Sequence, residues 1–77
     1  MNEYHLAVLR LMSDGVERQA WQIISAVFND GHPQCRNGIC RPAVALAAVG
    51  LLSKTNGVYA ITGFGRVALS WFDGGAQ

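Results

Sequence analysis

The sequence feature that most constrains this fold is the dipeptide Asn56-Gly57, which stands between two short apolar segments. Asparagine and glycine tolerate the positive φ that both central positions of a type I′ turn require. Residues 51–55 and 58–61 are therefore predicted to pair as a β-hairpin. Thr62 follows directly, and its hydroxyl can accept hydrogen bonds from the free N–H groups at the start of a helix. A C-terminal helix is predicted from apolar side chains that recur at helical spacing. They are Phe64, Val67, Ala68 and Trp71.

Two helices and a short strand are predicted near the start of the chain. Residues 3–13 place apolar side chains at positions i, i+3 and i+4, the pattern of a helix with a buried face. Residues 19–28 show the same pattern. Trp21 is predicted to lie in the core there, because an aromatic side chain at helical spacing usually supplies buried area. Between the two helices, residues 16–18 are predicted to form a short strand that pairs with the hairpin.

A third helix is predicted between the second helix and the hairpin. Several helix breakers end the second helix at residues 29–33, so the connection is longer than the three- or four-residue turn of a compact helix-turn-helix. The third helix should begin between Asn37 and Pro42, since proline is favoured in a first helical turn, and it should stop at Gly50. If Ala43 faces the core, the outer side of this helix is almost entirely apolar.

The C-terminal third of the chain resembles the ending of winged helix-turn-helix domains. The letters GLL at residues 50–52, followed after the turn by YAITGFGRVAL at residues 59–69, are similar to that family's pattern GLL…Y-x-L-T-x-x-G-R-x-x-L. Ile61 stands where the pattern usually has leucine. The resemblance implies an α+β, mostly α fold: a three-helix winged helix-turn-helix with a β-hairpin wing and a C-terminal helix. Residues 1–77 would form one such domain, with residues 74–77 as a frayed tail.

The resemblance also implies a small DNA-binding transcriptional regulator. The net charge of only +1 is low for a nucleic-acid binder, so two copies acting as a homodimer would supply affinity that one copy lacks. The charges are nevertheless segregated, because no acidic residue lies between His32 and Phe72. Double-stranded DNA would meet this segment through Arg36, Asn37, Arg41 and Lys54. The two arginines would contact phosphates or guanine edges, the asparagine would read a base, and the lysine would meet the backbone or the minor groove. Arg66 is expected to begin the last helix rather than to touch DNA.

The third helix also supports a different function, the binding of another protein. A helix that reads the major groove needs polar side chains that match the base edges, and beyond Arg41 this helix has none. An interaction module on the same frame would use an apolar interface formed by Val44, Ala45, Ala48, Trp71 and Phe72. Small stand-alone domains of this kind resemble those of phages and mobile elements, which serve as repressors or as inhibitors of host machinery, including CRISPR defence. The charge pattern favours the DNA-binding regulator, which is the function predicted from the sequence. The apolar helix favours the alternative, an interaction module such as an anti-CRISPR protein.

The cysteines form a separate cluster with a histidine. Cys35, Cys40 and His32 are three potential zinc ligands, whereas a structural zinc site needs four. His5 or a second subunit would have to supply the fourth ligand, and a disulfide between the cysteines is the other alternative. Disulfides are rare in a reducing cytosol. Two free cysteines are therefore predicted, with Cys40 buried as a small apolar side chain and no metal bound.

The sequence contains no pattern typical of an enzyme or of a membrane protein. It lacks paired carboxylates, a glycine-rich phosphate loop ahead of a helix and a nucleophile with an evident base, so neither catalysis nor a cofactor is expected. The N-terminus has no basic start of a signal peptide, and the apolar run at residues 43–52 is shorter than the roughly 20 residues of a membrane span. A cytoplasmic protein without membrane partners is expected. With 51% apolar and 14% charged residues, it is also expected to expose apolar surface.

Overall fold

The computed structural model describes residues 2–28, 33 and 35–74. These residues form a small, mostly helical α+β fold with four helices, a three-stranded antiparallel sheet and a separate two-stranded hairpin. None of the helices in these ranges is long and apolar enough to cross a bilayer. In chain order the elements are α1 (Glu3–Met12), β1 (Arg18–Gln19), α2 (Ala20–Val27), β2 (Cys35–Arg36), β3 (Ile39–Cys40), α3 (Arg41–Ala48), β4 (Leu52–Thr55), β5 (Val58–Ile61) and α4 (Gly63–Gly74).

The sheet is organised by the predicted hairpin. Strand β5 lies between β4 and β1 and is antiparallel to both. Asn56 and Gly57 join β4 to β5 with φ of 52° and 79°, the positive values that a type I′ turn needs. The short strand before α2 is also confirmed, although it forms at Arg18–Gln19 rather than at residues 16–18. The shift arises because the N–H of Val16 donates to Asp14 Oδ1 at 2.9 Å, which keeps this residue in a turn.

The first and last helices begin at side-chain caps. Asn2 Oδ1 accepts hydrogen bonds from the N–H groups of Tyr4 and His5, each at 3.0 Å. At the start of α4, the hydroxyl of Thr62 accepts from the N–H of Gly65 at 2.9 Å, as predicted. The same hydroxyl donates to the carbonyl of Gly50 at 2.7 Å. Thr62 therefore fixes the start of α4 against the turn that ends α3.

The core is built around α1, which packs against α2, α3, α4 and β5. Helices α1, α2 and α3 each contribute buried side chains from one stripe, as the spacing of their apolar residues predicts. Helix α4 packs against this core through the partly buried Ala68 and Leu69. The predicted burial of Cys40 is confirmed. The buried side chains are Val8, Leu9, Met12, Ile23, Phe28, Cys40, Ala43, Leu46, Leu51, Leu52 and Tyr59.

Trp21 lies outside this core, so its predicted burial is wrong. Its side chain is 60% exposed, and its indole N–H donates to Gln19 Oε1 at 2.7 Å. The two-turn helix α2 turns Ile23 inward, and that residue is completely buried. A side chain two positions away points to the opposite side of a helix, about 200° around the axis. Trp21 therefore faces solvent because Ile23 faces the core.

A second hairpin, β2–β3, lies in the connection before α3 and was not expected from the sequence. Its turn residues Asn37 and Gly38 have φ of 55° and 73°, as at the first hairpin. Cys35 pairs with Cys40 across the two strands. Helix α3 begins at Arg41, directly after β3 and within the predicted interval. The extra residues of the connection therefore form a hairpin that leads straight into the helix.

Candidate functional site

Two of the residues predicted to bind nucleic acid lie at the junction between the β2–β3 hairpin and α3. Asn37 occupies the tip of the hairpin and is exposed. Arg41 opens α3, and its exposed side chain makes no hydrogen bond or ion pair with any described residue. The backbone of Arg36 pairs with Ile39, and the side chain of Arg36 lies outside the described part of the structure. The junction therefore offers one cation and one amide to a ligand.

Lys54, the fourth predicted contact, is engaged with the sheet. It lies on β4 directly opposite Tyr59, and its Nζ is 5.4 Å from the centroid of the tyrosine ring. A cation at this distance is attracted by the ring quadrupole. Lys54 is exposed but stabilises the fold in this position. Lys54 thus interacts with a side chain of its own sheet, whereas Arg41 makes no hydrogen bond or ion pair with any described side chain.

Two further arginines form intramolecular ion pairs at the surface. Arg18 donates to both carboxylate oxygens of Asp14, at 2.9 and 2.8 Å. These hydrogen bonds, together with one from the backbone, lower the pKa of Asp14 to about 2. Arg10 on α1 pairs with Asp73 on α4 at 2.6 Å, and this contact raises the pKa of the arginine. Both arginines are therefore occupied in holding the fold together.

Arg66 connects α4 to the end of α1. Its Nη1 donates to the carbonyl of Ser13 at 3.2 Å, at the C-cap of α1. A guanidinium near the C-terminus of a helix also interacts favourably with the helix dipole. Among the described side chains, Arg41 is thus the cation without a partner in the molecule. The segregation of charge in the sequence does not translate into a row of free cations across the described residues.

The outer face of α3 is apolar from its second turn to its end. Ala43 and Leu46 lie in the core, which turns the remaining side chains of the helix toward solvent. No polar side chain follows Arg41 on this helix. The exposed residues after Arg41 are the predicted Val44, Ala45 and Ala48, joined at the C-cap by Val49, which is 63% exposed.

A shallow pocket of about 180 Å³ adjoins this face, between α1 and α3. Almost all of its lining atoms are apolar. An apolar cavity of about 150 Å³ holds one benzene molecule, so this pocket has room for one aromatic or leucine side chain. Its lining residues are His5, Ala45, Leu46, Val49 and Leu51. The pocket could not be predicted from the sequence, because His5 and the other lining residues are about 40 positions apart in the chain.

Helix α4 presents a second apolar surface. Phe64, Val67 and Trp71 expose 67%, 58% and 74% of their surface. Phe72 is also exposed, although less than Trp71. The helical spacing of these residues is confirmed, but the side of α4 that packs inward is formed by Gly65, Ala68 and Leu69. The large side chains face outward because the small ones fit against the protein.

Cys35 and Cys40 face each other across the β2–β3 hairpin as free thiols. Burial raises the pKa of both thiols, that of Cys40 to about 11. Since the thiolate is the reactive form, neither cysteine has the environment of an activated nucleophile.

We expect Cys40 to react very slowly with iodoacetamide in the folded protein. A pKa of about 11 leaves about 100-fold less thiolate at pH 8 than an ordinary thiol has, and the side chain is completely buried. Mass spectrometry of the protein labelled at pH 8 would show Cys40 unmodified, while protein unfolded in urea is modified at both cysteines. Labelling of native Cys40 at the rate of the unfolded protein would contradict its burial.

Within residues 2–28, 33 and 35–74, no group of three or more histidine, cysteine or acidic side chains could hold a metal ion. His32, the third potential zinc ligand, lies outside the described residues. The candidate functional surfaces are thus the start of α3, the outer face of α3 with its pocket, and the outer face of α4. Comparison with known protein families, curated proteins and solved structures gives no match to this chain, so its function has to be inferred from these surfaces.

Proposed function

We propose that this chain is a protein-interaction module built on a winged-helix frame. The order of elements supports the frame: a short strand follows the first helix, a hairpin follows the third, and a final helix completes the chain. The short strand β1 joins the hairpin in one sheet, as the resemblance of the C-terminal third implies. In such a frame α3 occupies the position of the recognition helix, so the chemistry of its outer face is the best guide to the ligand.

The observation that carries the proposal is the apolar outer face of α3. Val44, Ala45 and Ala48 can neither donate nor accept hydrogen bonds through their side chains. They cannot match the pattern of donors and acceptors in the major groove. An exposed apolar helix face beside a small pocket is instead typical of a surface that binds another protein.

The pocket indicates what the partner presents. Interfaces gain most of their binding energy from a few large side chains that enter pockets and are surrounded by weaker contacts. The pocket beside Ala45 and Val49 accepts one such side chain, and the α3 face provides the surrounding contacts. We infer a partner segment, such as an amphipathic helix, with one aromatic or leucine anchor and small apolar neighbours. Inhibition of a host protein complex is one role compatible with this chemistry.

DNA binding is the second candidate, and the start of α3 favours it. Arg41 and Asn37 are exposed there, and the first turn of a recognition helix is where many helix-turn-helix proteins contact bases. Arg41 has no described partner that would compete with a phosphate. A single domain would make few such contacts, so its affinity for DNA would be low and would fall steeply with salt.

The test compares four variants in capture experiments from a lysate of the source organism. Val44→Glu places a charge on the α3 face, and Ala45→Trp fills the pocket without adding charge. Arg41→Ala removes the free cation, and Ser25→Glu is the matched control, because Ser25 is exposed on α2. We expect capture of one protein partner to fall at least about 10-fold for the first two variants and to be unchanged for the other two.

Two conditions separate protein binding from DNA binding. Capture through apolar contacts should survive nuclease treatment and about 0.5 M salt, whereas phosphate contacts should not. Fluorescence anisotropy with a duplex of about 30 base pairs measures DNA binding directly. If capture requires nucleic acid and Arg41→Ala weakens binding to the duplex while Ala45→Trp does not, DNA binding replaces the proposed function.

A further inference from the structure

The outer face of α4 carries an exposed apolar stripe that the proposed function leaves unused. The stripe consists of Phe64, Val67 and Trp71, which follow one another at positions i, i+3 and i+7 and so share one side of the helix. Since a fully exposed aromatic side chain offers 150–250 Å², the three residues together expose about 400 Å². That area is as large as the largest apolar patch on a typical monomeric protein, and such patches usually mark an interaction site.

We propose that the α4 stripe is the centre of a homodimer interface. Val67 lies in the middle of the stripe, with Phe64 one turn before it and Trp71 one turn after it. If two α4 helices cross antiparallel about a two-fold axis at Val67, Phe64 of each copy packs against Trp71 of the other. Every contact then occurs twice, as a two-fold interface requires. The order of residues in the stripe is therefore complementary to itself.

The area of the stripe is also consistent with the apolar centre of a dimer interface. Two stripes bury about 800 Å² of apolar surface, and a standard interface buries about 1,600 Å² in total, of which a large part is an apolar centre. The two aromatic residues belong to the types that dominate binding energy in such centres.

The charges of α4 do not oppose this pairing. Arg66 and Asp73 lie on a different side of the helix from the stripe. Each is engaged within its own copy, Arg66 with the carbonyl of Ser13 and Asp73 with Arg10. The stripe itself carries no charge that would face a like charge in the second copy. The inference does not rest on the proposed function, because the stripe shares no residue with the α3 face or its pocket.

Sedimentation velocity of the full chain tests the dimer. We expect a species of twice the 8.3 kDa chain mass at about 100 µM, with a monomer appearing on dilution. Val67→Glu should raise the dissociation constant at least about 100-fold, since it places two carboxylates at the two-fold axis. Ser25→Glu adds the same charge on α2 and should remain dimeric. Circular dichroism should show both variants folded, because each side chain is exposed.

A charge-pairing experiment tests whether the α4 stripe contacts the same stripe of a second copy. Val67→Lys should also be monomeric, but a mixture of the glutamate and lysine variants should form a heterodimer. The proposal is overturned if the wild-type chain is monomeric at this concentration or if Val67→Glu still dimerises. It is also overturned if the mixed variants stay monomeric, since Val67 would then not meet its own copy.

Discussion

Replacing Gly65 with alanine should lower the free energy of unfolding by about 3 kcal/mol or more. A methyl group at this position would overlap the carbonyl oxygen of Leu51 and lie 3.0 Å from Cγ1 of Ile61. The carbonyl cannot easily move aside, because it accepts a hydrogen bond from the N–H of Thr62 at 3.2 Å. The first turn of α4 would therefore separate from the turn that ends α3.

Gly63→Ala is the matched control for this substitution. It adds the same methyl group in the same helical turn, but nothing lies within 4 Å of the new atom. Alanine favours helix over glycine, so the control should be neutral or more stable by up to about 1 kcal/mol. In a domain of this size each kcal/mol shifts the Tm by about 4–8 °C, so thermal unfolding should separate the variants by more than about 12 °C. Equal Tm values would show that the backbones do not approach closely at Gly65.

Two of the features that were predicted correctly have local causes. The turn at Asn56-Gly57 depends on the φ values of two adjacent residues, and the Thr62 cap depends on a hydroxyl three residues before the N–H that it meets. The second hairpin carried the same signal at Asn37-Gly38. It was missed because each of its strands is two residues long, too short to show the alternation that identifies a strand. The dipeptide alone would have been sufficient to predict the turn of this hairpin.

The other features that were missed depend on tertiary contacts. Apolar periodicity identifies a helix and its apolar face, but it does not tell which of two apolar faces will be covered. In α4 the covered face is the one whose side chains allow close approach, Gly65 and Ala68, so Phe64 is left outside. In α2 the burial of Ile23 turned Trp21 to solvent.

The candidate site was predicted only in part, because some of its features also depend on tertiary contacts. The exposed apolar residues of α3 follow from a helix with one buried face, and the prediction named three of them. The ion pair of Arg10 with Asp73 could not be predicted, since these residues are 63 apart in the chain. The pocket joins residues of α1 and α3 and depends equally on the folded arrangement. Among the described side chains, charge counts along the chain therefore overestimated how many cations are available to a ligand.

Replacing Tyr59, a residue of the family pattern, should show how much the stability of the sheet depends on one side chain. It is 2% exposed in the central strand β5 and has Arg18 and Lys54 as its two cross-strand neighbours. We expect Tyr59→Ala to lower the free energy of unfolding by about 3–5 kcal/mol, because the lost ring leaves a cavity beneath both side chains. A domain of this size is stable by only about 4–12 kcal/mol, so urea unfolding at equilibrium would show a large fall in midpoint.

Two further substitutions separate the ring of Tyr59 from its neighbours. Tyr59→Phe should change stability by less than about 0.5 kcal/mol, since the hydroxyl makes no hydrogen bond with any described residue. Lys54→Ala should cost about 0.5–1 kcal/mol through the lost contact with the ring. A small effect of Tyr59→Ala would mean that the sheet does not need the ring. An undetectable effect of Lys54→Ala would free this lysine from its structural role and return it to the candidates for binding DNA, so these stability measurements also bear on which ligand the domain takes.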